Sequence, residues 1–180
     1  MCKRLLIFCL LLGFAQGVLA QQAKSPYAGQ QERAIKALSV VEIEQYLSGA
    51  GMGLAQAAEL HHFPGPKHVL ELADEIGLTE QQRRKTEDLY ADMHQQAVAI
   101  GQKIVDQEAW LDRRFQSGEV STEEIDSITE QIGSLQGTLR ATHLRAHVQM
   151  KELLSDQQLS QYDHLRGYSE GQTHQHHPSH

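Results

Sequence analysis

His143 and His147 stand four residues apart in the run Leu139-Arg140-Ala141-Thr142-His143-Leu144-Arg145-Ala146-His147. On a helix that spacing puts both imidazoles on one face, where their neutral nitrogens can chelate a transition metal. Two ligands do not complete a site. If these residues lie on one arm of an antiparallel hairpin whose turn centres near residue 119, position 143 faces about position 95, beside His94. Glu87, Asp92, Met93 and Met150 fall within reach of the same region. A site of His94, His143 and His147 with a carboxylate or a thioether suits zinc or copper, with nickel and cobalt as further candidates. A solvated helix face, or polar contacts at a subunit interface, accounts equally for the same residues.

A second group of ligands sits at the C-terminus: His174, His176, His177 and His180. Histidine-rich tracts of this kind bind transition metals loosely and with little selectivity. Binding needs deprotonated imidazoles, so it should fade below about pH 6.5. A purely solvating tail is the alternative. His61, His62 and His68 flank the turn Pro64-Gly65-Pro66, where histidines are more often structural or exposed than ligands. Trp110 and Phe115 gather with Leu111 beside Arg113 and Arg114. Exposed, such an aromatic and basic patch would suit contact with an unfolded client, whereas buried it would be core or a dimer contact.

Enzyme chemistry finds little support. There is no Ser-His-Asp order with a nucleophile elbow, no phosphate loop and no His-Glu-x-x-His motif. The alternate glycines Gly49, Gly51 and Gly53 read as a helix-to-helix turn, since no strand precedes them and no Lys-Ser/Thr pair follows. The acidic pair Glu123-Glu124 sits at a helix start, where it complements the helix dipole.

Helical elements must hold these histidines. Leu78-Thr79-Glu80-Gln81-Gln82 and Leu154-Ser155-Asp156-Gln157-Gln158 each give a leucine, a hydroxyl N-cap and a glutamine three residues after the cap. That is the capping-box pattern, and Ser39 with Glu42 and Ser121 with Glu124 repeat it. After Thr79 an apolar seam runs through Leu89, Met93, Ala97, Ile100, Ile104, Leu111 and Phe115. Ser117-Gly118 stops it, and a second seam follows from Ile125 through Ile128, Ile132, Leu135, Leu139, Ala146, Met150 and Leu153. The tight turn between them implies an antiparallel hairpin over about residues 79–154, each arm roughly 50 Å long. Short helices are expected from Ser39 to about Leu47, from Leu54 to Leu60 and from Lys67 to Ile76, and a last one after Ser155. A hairpin that long buries one stripe per arm, so the short helices or a second subunit must cover the rest. The expected fold is all-α, and a homodimer is the expected assembly.

The first twenty residues read as a secretory signal peptide: Lys3 and Arg4, an apolar run from Leu5 to Leu12, and a cut after Ala20. The apolar run is too short to span a bilayer, so no membrane span is expected after cleavage. Cys2 and Cys9 leave with the signal, which excludes disulfides and thiolate chemistry from the exported chain. Loss of Lys3 and Arg4 takes the net charge from −7 to −9. With no basic stripe, nucleic acid is not an expected partner. Residues 21–38 read as an extended or disordered arm, 39–168 as the helical domain, and 169–180 as a disordered histidine-rich tail.

Leu78-Thr79-x-x-Gln82 and Leu154-Ser155-x-x-Gln158, bracketing a hairpin behind an export signal, resemble the LTxxQ family. That family includes the Spy and CpxP periplasmic proteins, zinc-resistance-associated proteins and periplasmic heavy-metal sensors of the CnrX type. The run from Leu139 to His147 looks most like the heavy-metal-resistance branch. The resemblance implies an all-α, often dimeric periplasmic protein that binds metal, holds unfolded clients or works with an envelope sensor protein. Two roles stay open: a metal-binding or metal-responsive protein, and an ATP-independent chaperone or stress modulator.

Overall fold

The structure, a computed structural model, describes residues 24–168. The expected signal peptide of residues 1–20 and the expected histidine-rich tail of residues 169–180 lie outside the described residues. Described residues 24–31 belong to a unit of their own, in which turns close through Ala28 N–H to Ser25 O and Gln30 N–H to Tyr27 O, at 3.0 Å each.

From Glu32 to Tyr168 the fold is all-α. Its helices are α1 (Val40–Leu47), α2 (Gln56–Glu59), α3 (Pro66–Glu71), α4 (Glu80–Ser117), α5 (Thr122–Leu153) and α6 (Asp156–Leu165). Four of them start at the capping boxes read from sequence. Ser39, Thr79, Ser121 and Ser155 accept the N–H of Glu42, Gln82, Glu124 and Gln158, whose side chains accept the cap N–H in return. Loss of one such cap typically costs about 1 kcal/mol. Gly118, at φ 71°, ends α4 in the left-handed conformation that glycine adopts without strain.

Helices α4 and α5 form the hairpin. Met93, Ala97, Ile104 and Val105 are buried on one arm, and Ile128, Ile132, Leu139, Ala146 and Met150 on the other. At the base, Val69, Ile76, Met150, Leu154 and Tyr162 make a second cluster, against which Leu78 and Leu89 pack. Helix α1 crosses α4 at Gly101, where a Cβ would overlap the Tyr46 carbonyl, so the two backbones touch. Among the described residues no helix is long and apolar enough to cross a membrane.

Three expectations need correction. The stretch before Ser39 is not an extended arm: residues 24–38 run through turns and bends, and Ile35 and Leu38 are buried against Val105. Two apolar side chains spaced three apart outweigh the polar composition around them. The second and third short helices are shorter than their apolar patterns, because turns at Gly53–Ala55 and at Leu72–Gly77 take over the ends. Phe115 is not part of the buried seam. It is 57% exposed, since α4 outruns the covering segments near the hairpin tip.

Candidate metal centre

Helix α5 carries His143 on its buried stripe, between Leu139 one turn before and Ala146 one turn after. His147 follows on the same face and is half-buried. Helix α4 brings Met93 and His94 opposite. Helix α3 adds His68, held close by Pro66, whose fixed φ suits a first helical turn. These residues line one cleft of about 340 Å³, closed at its rim by the Ser48–Gly51 turn and by Gly65 to Lys67. The hairpin register thus places His94, His143 and His147 on a common cavity.

Hydrogen bonds fix which nitrogens are free. The His147 Nδ1 lies 2.7 Å from the Phe63 carbonyl oxygen. A carbonyl only accepts, so Nδ1 carries the proton and the neutral ring's lone pair is on Nε2. His94 presents Nε2 to the Ser48 carbonyl at 3.0 Å, which leaves its lone pair on Nδ1. His68 Nδ1 lies 2.9 Å from Glu71 Oε2. His143 differs from all of these: it is 4% exposed, and its buried Nε2 has no hydrogen-bond partner among the described residues. Burial, with smaller contributions from His147 and His94, pushes the His143 imidazole below its ordinary pKa. It therefore stays neutral at physiological pH, the form that binds metal.

A buried, unpartnered imidazole nitrogen is costly unless something occupies it. The donor set around it, imidazoles with the Met93 thioether nearby, has the softness of a zinc, copper, nickel or cobalt site. Among the described residues, no three His, Cys, Asp or Glu side chains already stand close enough to hold one ion. The donor chemistry fits a transition metal, and the rings stand as separate side chains on one cleft.

The other candidates fall elsewhere. Met150 belongs to the core cluster at the base, Glu87 is exposed and Asp92 accepts from Gln96 at 2.8 Å. His62 Nδ1 pairs with Asp163 Oδ2 at 2.8 Å, away from the cleft lining. His174, His176, His177 and His180 lie outside the described residues. Near the tip, Trp110 is half-buried under the Arg114 guanidinium, 5.8 Å from its ring centre, while Arg114 pairs with Glu124 at 3.0 Å.

The two leucine–hydroxyl–glutamine strings meet at the base of the same hairpin. Thr79 caps α4 and Ser155 caps α6, and their glutamines Gln82 and Gln158 bond to each other. A family model described as LTXXQ motif family protein matches residues 65–166. The chain belongs to the LTXXQ motif family. No curated protein and no solved structure matches it. The LTXXQ family is associated with periplasmic proteins, and its members are not known as enzymes. The span shared with the LTXXQ family contains His68, His94, His143 and His147. It does not include the Ser48–Gly51 rim of the cleft or Glu59, whose carboxylate accepts the Gly65 N–H.

Sequence reasoning grouped His68 with the turn histidines, whereas it lines the cleft, and missed Glu59. The signal for His68 was its place two residues after Pro66, which starts a helix and so gives the ring a fixed direction. Nothing in the sequence distinguishes Glu59 from an exposed helical glutamate.

Proposed function

We propose that this LTXXQ protein is an exported, metal-binding protein of the heavy-metal-resistance kind, and that His143, His147 and His94 hold a transition metal in the cleft between α3, α4 and α5. The observation that supports this reading is the unpartnered Nε2 of His143, buried among further imidazoles on a roomy cleft. The metal would satisfy that nitrogen, and it would tie the two hairpin arms to each other.

The test is a calorimetric titration of the tag-free protein lacking residues 1–20 with zinc and with copper at neutral pH. The comparison set is the His143→Ala/His147→Ala double variant and a form ending at Tyr168. A tight saturable site that the double variant loses and the truncated form keeps supports the proposal. Binding confined to the tail, or none, removes it.

A second reading is a chaperone or envelope-stress modulator that acts without ATP. It is favoured by exposed apolar side chains: Val40 at 69% and Val41 at 59% on α1, and Phe115 at 57%. Suppression of client aggregation without metal, lost on Val40→Ser/Val41→Ser/Phe115→Ser, would support it.

A further inference from the structure

The carboxylate of Glu59, the last residue of α2, is only 12% exposed and divides its two oxygens between two sets of partners. Oε1 accepts from Tyr162 Oη at 2.5 Å and from Tyr168 Oη at 3.1 Å, and Arg166 Nε stands 3.4 Å away. Oε2 accepts the Gly65 N–H at 3.1 Å and stands 3.7 Å from His147 Nδ1.

We infer that Glu59 is a positioning residue for His147: it pins the Phe63–Gly65 segment so that the imidazole keeps its proton on Nδ1 and turns its Nε2 lone pair to the cleft. This deepens the metal-centre reading and rests on it for its purpose, but the geometry stands by itself.

Each contact restricts a different freedom of that segment. The Phe63 carbonyl receives the Nδ1 proton at 2.7 Å. The Phe63 ring lies under Lys151 Nζ, 3.9 Å from its centre, which anchors the same residue to α5. Pro64 and Pro66 are fully buried, so the turn between them has little room to shift. Gly65 lies directly against the ring: a Cβ there would stand 3.0 Å from both His147 Nε2 and Cε1. The Glu59 bond to the Gly65 amide therefore sets the depth of the segment over the imidazole. Burial and the Glu59 carboxylate push the Tyr162 hydroxyl far above the ordinary tyrosine range, so it remains a donor to Oε1. A carboxylate or carbonyl behind a histidine ligand fixes the tautomer and raises the basicity of the free nitrogen. Here α6, which carries Tyr162, is linked through one carboxylate to a ring of the cleft.

The test uses Glu59→Gln and Tyr168→Phe in the tag-free protein. In Glu59→Gln, the two phenol hydroxyls and Arg166 select the amide oxygen. The amide NH2 then faces the Gly65 N–H, which it cannot accept. Long-range proton–nitrogen spectra of the metal-free protein should show His147 as the Nδ1–H tautomer in the wild type and a population of the Nε2–H tautomer in Glu59→Gln. Tyr168→Phe removes a partner of Oε1, and the 3.4 Å contact of Arg166 Nη2 with the same hydroxyl, but leaves Oε2 untouched and should match the wild type. Zinc affinity should fall about 10- to 100-fold in Glu59→Gln and hold in Tyr168→Phe. Retention of the pure Nδ1–H tautomer in Glu59→Gln, or equal shifts in both variants, would overturn the inference. A wild type without a saturable zinc site would remove the proposed function, and the tautomer comparison would still decide the role of Glu59.

Discussion

Gln82 and Gln158 hydrogen-bond each other in both directions: Gln82 Nε2 donates to Gln158 Oε1 at 2.8 Å, and Gln158 Nε2 donates to Gln82 Oε1 at 3.0 Å. Their second N–H groups reach the Leu153 carbonyl at 2.9 Å and the Gly77 carbonyl at 3.1 Å. Each Oε1 also accepts the N–H of its own cap residue, Thr79 at 3.0 Å and Ser155 at 2.9 Å. Both side-chain amides thus have all their hydrogen-bonding capacity in use. The two capping boxes are one connected device that joins the start of α4, the end of α5 and the start of α6.

That connection predicts non-additive energetics. Gln82→Ala or Gln158→Ala should each destabilise the protein by about 1–3 kcal/mol, because each strands a partly buried amide on the other side. The double variant should cost less than the sum, with a coupling of roughly 0.5–3 kcal/mol. Urea unfolding of the four-member cycle measures this. Strict additivity would mean two independent caps.

How much of this was legible in the sequence follows from the range of the interactions involved. A capping box is complete within four residues, so Ser39, Thr79, Ser121 and Ser155 could be read directly, and α4 and α5 start where they say. The register that brings His94 to His143 needed only one turn position and a constant helical rise. Glu59 could not be found this way, because its partner Tyr162 lies 103 residues away and is reached only after α2, α5 and α6 have packed. Ile35 and Leu38 were hidden for the same reason: their cover, Val105, lies on α4. The mutual bond of Gln82 and Gln158, 76 residues apart, was likewise beyond the local pattern that identified each of them.

The glycines of the hairpin should respond in opposite directions. At Gly133 and Gly137 on α5 an added Cβ would meet nothing within 4 Å, so Gly→Ala at either should stabilise by about 0.5–1 kcal/mol. Gly101→Ala should instead destabilise by about 1–3 kcal/mol, because the methyl group would overlap the Tyr46 carbonyl and force α1 off α4. Thermal melting of the three single variants gives the signs. Stabilisation by Gly101→Ala would show that α1 does not sit against α4 in solution.

His143 makes stability depend on pH with a definite sign. Burial lowers its folded pKa below the ordinary value of 6.5. Between those two values the unfolded chain binds a proton that the folded chain does not. Stability from this residue is therefore fully present above about pH 6.5 and is lost as pH falls toward the folded value. Glu108, whose carboxyl is raised by burial, works in the opposite direction but is common to wild type and variant. In His143→Gln the loss due to His143 should vanish. The difference in unfolding free energy between wild type and variant, measured from about pH 7 down to about pH 5, should shift against the wild type. A difference that stays flat would mean that His143 titrates normally and is not buried in solution.

Gly65→Ala isolates access to His147 from the stability of the fold. Gly65 has φ −83° and ψ 140°, a conformation open to any residue, so the backbone does not object to alanine. At such a site the narrower range of unfolded conformations would by itself stabilise the protein by about 0.4–1 kcal/mol. The new Cβ, however, would stand 3.0 Å from His147 Nε2, so the imidazole must give way by a few tenths of an ångström. The methyl group would also stand beside the lone pair that a metal needs. Zinc affinity should therefore fall in Gly65→Ala while the helical content stays at the wild-type level. Introduced on top of His147→Ala, the same substitution meets no ring, so there it should be neutral or stabilising by thermal melting. Equal effects on stability in the two backgrounds would mean that Gly65 and His147 do not touch, and wild-type zinc affinity in Gly65→Ala would take His147 Nε2 out of the ligand set.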